Sequence, residues 1–358
     1  IQFEHNSSSN ATALYYFLAT DGFKVGAKDK GNWFLNRNWS TALFLKENIT
    51  GGNIQSNRFE SSSNEMDKCI FINPGSNNIL IGGPNLEDGN VFKGANIAAI
   101  ELRNGCDENI IQNNVFQSNA IAIANDLTLG GVNNGNRYLS NQFLCNDVGI
   151  MHTALSNNSI QKPIIQVAKP NFIMGSGIAG NYIEVYQTID SCTTGDCQGL
   201  SIGSDTIGQD GLFYIAIPDS IELSNGNNVS AIQTDFNFDG SSEFASCVEV
   251  DSNCVDFVYS CDDDVLGSLR SAIDCATEGD TIVFLNFLSN DSLFIDDSIS
   301  LDKNITIDGA NQNIKLWSNT PAFMFEVMQK TVYIKSICIK STNGPILRNN
   351  GMLLLENS

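Results

Sequence analysis

Between residues 50 and 160 the hydrophobic positions follow no helical period. A short figure returns instead: an apolar residue, an asparagine three positions later, and a phenylalanine two after that. The stretches NIQSNRF, IIQNNVF and RYLSNQF supply Ile54/Asn57/Phe59, Ile111/Asn114/Phe116 and Tyr138/Asn141/Phe143, and EDGNVF adds Asn90 and Phe92. The asparagines are 33, 24 and 27 residues apart, and an apolar strand follows at Ile100, Ile123 and Ile150. Repeats of this length, with short strands and little helical pattern, predict a β-solenoid whose rungs hydrogen-bond to one another. An asparagine at a fixed place in each rung suits a tight turn, because it tolerates left-handed backbone and its amide can bond to the rungs above and below. Residues 1–50 read as earlier, more decorated coils without an assignable register.

From Pro163 the pattern changes to strands that alternate in hydrophobicity, YIEVYQT, LSIGSDTI, LFYIAIP and NNVSAIQTDF, separated by turn residues such as GQDG. Strands and turns at that spacing predict a β-sandwich. A short acidic linker, 251–262, leads to GSLRSAIDCATEGDTIVF. There Leu269, Ala272, Ile273 and Ala276 fall on one face of a helix that Gly279 ends, a helix suited to covering the open end of a second solenoid. Alternating pairs at Ile282/Phe284, Ile305/Ile307 and Val332/Ile334 predict its first rungs. The expected fold is all-β: a parallel β-helix over 1–162, a sandwich over 163–250, and a capping helix with the start of another β-helix over 251–358.

Several of these stretches resemble known families. NNILIGGPNLEDGNVFKGANIAAIEL is similar to the right-handed parallel β-helix of copper-maturation periplasmic proteins and of many secreted repeat proteins. AGNYIEVYQT, GQDGLFYIAIP and NNVSAIQTDFNFDGSSEF resemble bacterial immunoglobulin-like modules. GSLRSAIDCATEGDTIVF with SISLDKNITIDG resembles the start of β-helix domains in bacterial surface proteins. The resemblance implies an extracellular, cell-surface adhesin or fibre subunit of the Bacteroidetes type, exported by type IX secretion. Its partners would be further copies of itself in a homo-oligomeric fibre, and cell-surface or glycan targets.

Charge narrows the partners. The 358 residues carry 19 Lys and Arg against 40 Asp and Glu, a formal net charge of −21. Such a balance repels phosphate backbones and anionic membranes, so neither nucleic acid nor direct membrane insertion is expected. The chain has no initiating methionine and reads as a piece of a longer polypeptide. Ten cysteines with no C-x-x-C pair, and only two histidines, argue against structural zinc. The close pairs Cys192 with Cys197 and Cys261 with Cys275 fit loop staples in an oxidising compartment, with Cys247 and Cys254 as further disulfide candidates.

The motifs that could carry chemistry are few. GSGIAG matches a dinucleotide-binding fingerprint but precedes a strand rather than a helix, and GLSIG matches a nucleophile elbow with no histidine after it. Both read as structural. DFNFDGSSE places Asp235, Asn237 and Asp239 at alternate positions with Glu243 beyond, a loop able to aim several oxygens at one calcium ion. No catalytic residue and no other cofactor is expected. The competing class is a carbohydrate-active β-helix enzyme, a polysaccharide lyase or hydrolase, which would set carboxylates in a groove along one face.

Overall fold

The computed structural model describes residues 2–5, 11–16, 22–36, 39–61, 66–125, 132–153, 155–188, 198–218, 220–237, 239–251, 255, 257–265, 267–285, 288–310 and 312–357. The chain divides into two compact units, residues 1–252 and 253–358. The first opens as a parallel β-solenoid with three sheets. Sheet I contains Gln2–His5, Trp33–Asn36, Arg58–Ser61, Val91–Lys93, Val115–Gln117 and Gln142–Leu144. Sheet II contains Ala11–Tyr16, Trp39–Leu45, Met66–Ile72, Ala95–Leu102, Ile121–Asn125 and Val148–His152, and sheet III runs from Phe23–Val25 through Thr50–Ile54, Asn77–Gly82 and Ile110–Gln112 to Arg137–Leu139.

The repeat fixes this register. Phe34, Phe59, Phe92, Phe116 and Phe143 are lateral neighbours on successive strands. Their rings stack at centroid separations of 4.6, 5.1, 5.0 and 5.4 Å, forming a continuous aromatic column in the core. Ile100, Ile123 and Ile150 align on sheet II, as their spacing predicts.

The asparagines stack as well. At the corner between sheets III and I, the Nδ2 groups of Asn32, Asn57, Asn90 and Asn114 each donate to the Oδ1 of the next asparagine, at 3.0, 3.0, 2.9 and 3.1 Å, ending at Asn141. Each Oδ1 also accepts the backbone N–H of the preceding asparagine. A second ladder, Asn119 to Asn146, lies between sheets I and II, and a third, Asn109 to Asn136, between II and III. The left-handed backbone falls one residue earlier than expected. Ser56, Asn113, Ser140, Ser118, Cys145 and Glu108 take the positive φ, while the asparagine that follows turns inward and is buried. The corner therefore needs two residues with different tasks, one to turn and one to fill the turn with hydrogen bonds.

Residues 163–250 form two antiparallel sheets around a shared core. One orders Ile164–Lys169, Phe172–Ser176 and Leu212–Ala216. The other joins Gly199–Thr206, Tyr182–Thr188, Asn228–Asp235 and Gly240–Ser241, with Val248–Glu249 paired to its third strand. Ile173, Ile183, Val185, Phe213, Ile215, Val229 and Ala231 fill the space between them. This segment belongs to the same compact unit as the solenoid and closes its end. Phe244 and Tyr186 meet the ring of Phe143 edge-on at 5.0 and 6.0 Å, and Phe244 comes so close to Gly149 that a Cβ there would lie 2.6 Å from its ring. Gln198 Oε1 accepts from Asn146 Nδ2 at 2.8 Å, as another asparagine rung would. Asn157 Oδ1 accepts the Asn136 N–H, and Asn157 Nδ2 donates to Ser241 O.

Glu184 completes the closure. Its carboxylate is buried and accepts the Ser140 N–H at 3.1 Å, with the Ser140 and Tyr186 hydroxyls nearby. Burial pushes its pKa up to about 7, against the lowering pull of those donors. An acid whose folded pKa lies above its unfolded value stabilises the fold most at low pH. Stability of the first unit should therefore fall as pH rises from about 4.5 through 7, by about 3 kcal/mol. In Glu184→Gln, denaturation midpoints measured across that range should lose this slope, and the variant should be the more stable protein at pH 8.

The second unit is again a parallel solenoid. One sheet orders Phe257–Val258, Thr281–Phe284, Ile305–Asp308, Thr331–Lys335 and Met352–Glu356. The others contain Ser292–Ile295, Ile314–Ser318 and Ile337–Ser341, and Ile299–Leu301, Phe325–Val327 and Leu347–Asn349. The first step is one dyad away from the simple spacing, because Ile282 pairs with Ile307, whereas Ile305 pairs with Val332 and Ile307 with Ile334 at the expected 27 residues. The predicted helix, α1, spans Leu269–Cys275, with Ser268 capping its start and Leu269, Ala272 and Ile273 in the core of this unit. Lys303 Nζ donates to the carbonyls of Ile273 and Asp274, which a short helix leaves without partners. Arg270 grips the nearly buried Asp263 through two bonds, at 3.0 and 2.6 Å, and reaches the carbonyls of Ser298 and Asp297. Lysine offers no planar fork, so Arg270→Lys should destabilise this unit by about 2 kcal/mol in chemical denaturation.

Candidate functional site

Unequal turns on the first solenoid open a cleft. The connections from sheet III to sheet I are long at residues 26–32, short at 55–57 and long again at 83–90. The short turn is recessed between the other two, leaving an open cleft of about 550 Å³ lined by Asp29, Gly31, Asn32, Trp33, Ser56, Arg58 and Glu87. Its floor is close-packed: a Cβ on Gly31 would lie 1.7 Å from the Ser56 carbonyl oxygen, so that position admits only glycine without movement. Ser56 is tied to the far wall, its hydroxyl donating to Glu87 O at 2.8 Å. Lys28 on one wall and Glu87 on the other form an ion pair that bridges the recessed turn.

Sheet I aims the functional side chains. Trp33 and Arg58 are outward-facing neighbours on adjacent strands, between the inward Phe34 and Phe59 and the buried asparagines that precede them. Arg58 Nε donates to Glu60 Oε2 at 2.7 Å, and Lys93 lies 3.7 Å from the same carboxylate. The Arg58 guanidinium holds the Glu60 carboxyl below its ordinary pKa, and the Lys28 ammonium does the same for Glu87. Both carboxylates are therefore ionised acceptors. The Asp29 carboxylate makes no hydrogen bond to a described residue and acts on the Lys28 ammonium through its charge, and Trp33 is 40% exposed.

The residues expected to hold calcium lie elsewhere, and the three carboxylates among them are engaged separately. Asp235 Oδ1 accepts the N–H of Asn237 at 2.7 Å, a local turn bond. Asp239 Oδ1 accepts from Asn158 Nδ2 at 2.7 Å. Glu243 accepts the His152 N–H at 2.8 Å and pairs with Lys162 at 2.9 Å. Arg137 donates to Phe236 O from the solenoid, and its guanidinium lies over the Phe236 ring. The loop thus serves as a docking turn onto the last rung. Among the described residues, no group of three or more His, Cys, Asp or Glu is placed to hold a metal ion.

Of the cysteines, Cys145, Cys247 and Cys275 are disulfide-bonded. Cys261 is a free thiol near Asp291, so the expected bridge to Cys275 is not made. Cys192, Cys197 and Cys254 lie outside the described residues. Among those described, Cys69 and Cys338 are also free thiols, and the buried Cys106 Sγ meets the Asn73 carbonyl at 3.1 Å.

The cleft was not signalled by any of the motifs singled out in the sequence. A signal was present nonetheless: Asn32, Trp33 and Phe34 repeat the asparagine-x-phenylalanine figure 25 residues before Asn57. No known protein family matches the chain, and no curated protein matches it. Among the described residues no helix is long and apolar enough to cross a membrane.

Proposed function

We propose that this chain is a structural and adhesive segment of an extracellular, cell-surface protein of modular build, presenting solenoid faces to other cells, to glycans or to further copies of itself. The observation that carries this reading is the continuity of the first solenoid's interior. Three side-chain amide ladders and one aromatic column run through successive rungs. An antiparallel segment that imitates the next rung closes their end. Such a scaffold is stiff and offers few openings to proteases, and a long lateral surface gathers weak contacts into avidity. An immunoglobulin-like identity for residues 163–250 belongs to this same proposal, supported by two antiparallel sheets over one core.

The cleft also brings the carbohydrate-active reading into view, since it sets carboxylates beside an aromatic ring. Glu87 is held ionised by Lys28, and an ionised carboxylate has no proton to give a leaving group. That favours binding over hydrolysis. Beads coated with the protein should adhere to cells or polysaccharide films and leave the films intact. Release of reducing or unsaturated ends, abolished by substitution of one carboxylate, would overturn the adhesive reading in favour of an enzyme.

A further inference from the structure

The free groups in the cleft share one chemistry. Trp33 presents an indole face on which no described residue stacks, Asp29 an acceptor that takes no hydrogen bond from a described residue, and Arg58 a guanidinium fork engaged there only through its Nε. A flat apolar face beside a free acceptor and a fork of donors matches a pyranose, with C–H groups on its face and hydroxyls around its rim. The volume, about 550 Å³, lies in the range of small-molecule sites. Charge sets the class of sugar. Lys28, Arg58 and Lys93 stand against Asp29, Glu60 and Glu87, so the cleft has no cationic excess to hold uronate, sulfate or phosphate groups, and the chain as a whole carries −21.

We infer that this cleft binds a neutral saccharide, one ring stacked on Trp33, with Asp29 and Arg58 holding its hydroxyls and the Lys28–Glu87 bridge marking the end of the site. The inference deepens the adhesive reading and rests on it for its biological meaning. The binding itself is tested separately.

The probes are neutral glucose, mannose and N-acetylglucosamine hexasaccharides, with an oligogalacturonate of equal length as the charged counterpart. Each is titrated into the whole chain by calorimetry, with tryptophan fluorescence in parallel. At least one neutral oligosaccharide should bind and perturb the fluorescence, and should bind more tightly than the galacturonate. Trp33→Ala should weaken that binding about tenfold or more. Trp33→Phe and Asp29→Asn should weaken it less, and they carry the test if the alanine variant fails to fold. Trp317→Ala, in the other unit, should leave it unchanged.

No neutral oligosaccharide bound at millimolar concentration, tighter binding of the galacturonate, or full affinity in every Trp33 and Asp29 variant that folds would each overturn the inference. Bead adhesion separates the two proposals. Adhesion without saccharide binding removes the cleft and spares the adhesive role, whereas saccharide turnover removes the adhesive role and spares the cleft.

Discussion

Replacing Asn114 with alanine is expected to destabilise the first solenoid by about 4 kcal/mol, because several buried groups lose their partners together. Its Oδ1 accepts both the N–H and the Nδ2 of Asn90, at 2.9 Å each. Its Nδ2 donates to Ile81 O, Gln112 O and Asn141 Oδ1. Alanine also leaves a cavity too small and too confined to be rehydrated freely. Asn114→Asp is the sharper control. It keeps the acceptor but sets an oxygen against the oxygens of Ile81 and Asn141, so at neutral pH it should be at least as damaging as alanine. Below the ordinary carboxylate range the protonated acid regains one donor, and part of the loss should return. Urea denaturation at two pH values, with hydrogen exchange at the Asn90 amide, reads both effects. Unchanged exchange in Asn114→Ala would show that the ladder adds little.

Phe143→Ala should cost about 3 to 5 kcal/mol, the usual range for truncating a fully buried aromatic ring. Phe143 belongs to two structures at once. It ends the aromatic column, 5.4 Å from Phe116, and is the ring against which Phe244 and Tyr186 close the solenoid. Truncation should therefore loosen both sides of that contact, raising exchange in strand Gln142–Leu144 and in strand Tyr182–Thr188 together. A double-mutant cycle with Phe244→Leu should show a coupling of about 1 kcal/mol. Loss confined to the solenoid side would mean that the antiparallel segment is held by its hydrogen bonds alone.

Much of the first solenoid was legible in the sequence because its core uses one residue type per place. Phenylalanines at 59, 92, 116 and 143 announce a register that needs no further information. Asn32 and Phe34 follow the same rule but went unread, because a seven-residue turn and long decorated connections on either side dilute the period. The second and third amide ladders were hidden by composition, since asparagine is common throughout the chain and only the fold distinguishes an inward one. In the second unit the aliphatic core has no such marker, and the pairing of Ile282 with Ile307 rather than Ile305 follows from turn lengths. The candidate site was beyond reach for a related reason. It is made by the difference in length between three successive turns, which acquires meaning only when the rungs are aligned. Around the acidic loop, spacing reports only which oxygens are near in sequence, while Asn158, His152 and Lys162 meet those of Asp239 and Glu243 from elsewhere.

The amide ladders have a direction. Every Nδ2 in the longest one points toward the C-terminal rungs and every Oδ1 toward the N-terminal ones, so their dipoles add as those of peptide groups add along a helix. The far end of the stack accordingly presents donors and a partial positive charge. The closing groups meet the last corners with both acceptors and donors: Gln198 Oε1 accepts from Asn146 Nδ2 while Gln198 Nε2 donates to Asn146 O, Asn157 Oδ1 accepts the Asn136 N–H while the Ser241 N–H donates to Asn136 O, and the Glu184 carboxylate accepts the Ser140 N–H. That closure sets a rule for any substitute. A surface that closes this stack must offer an acceptor to each outgoing N–H and a donor to each outgoing carbonyl, and one rich in a single kind would leave buried groups unpaired.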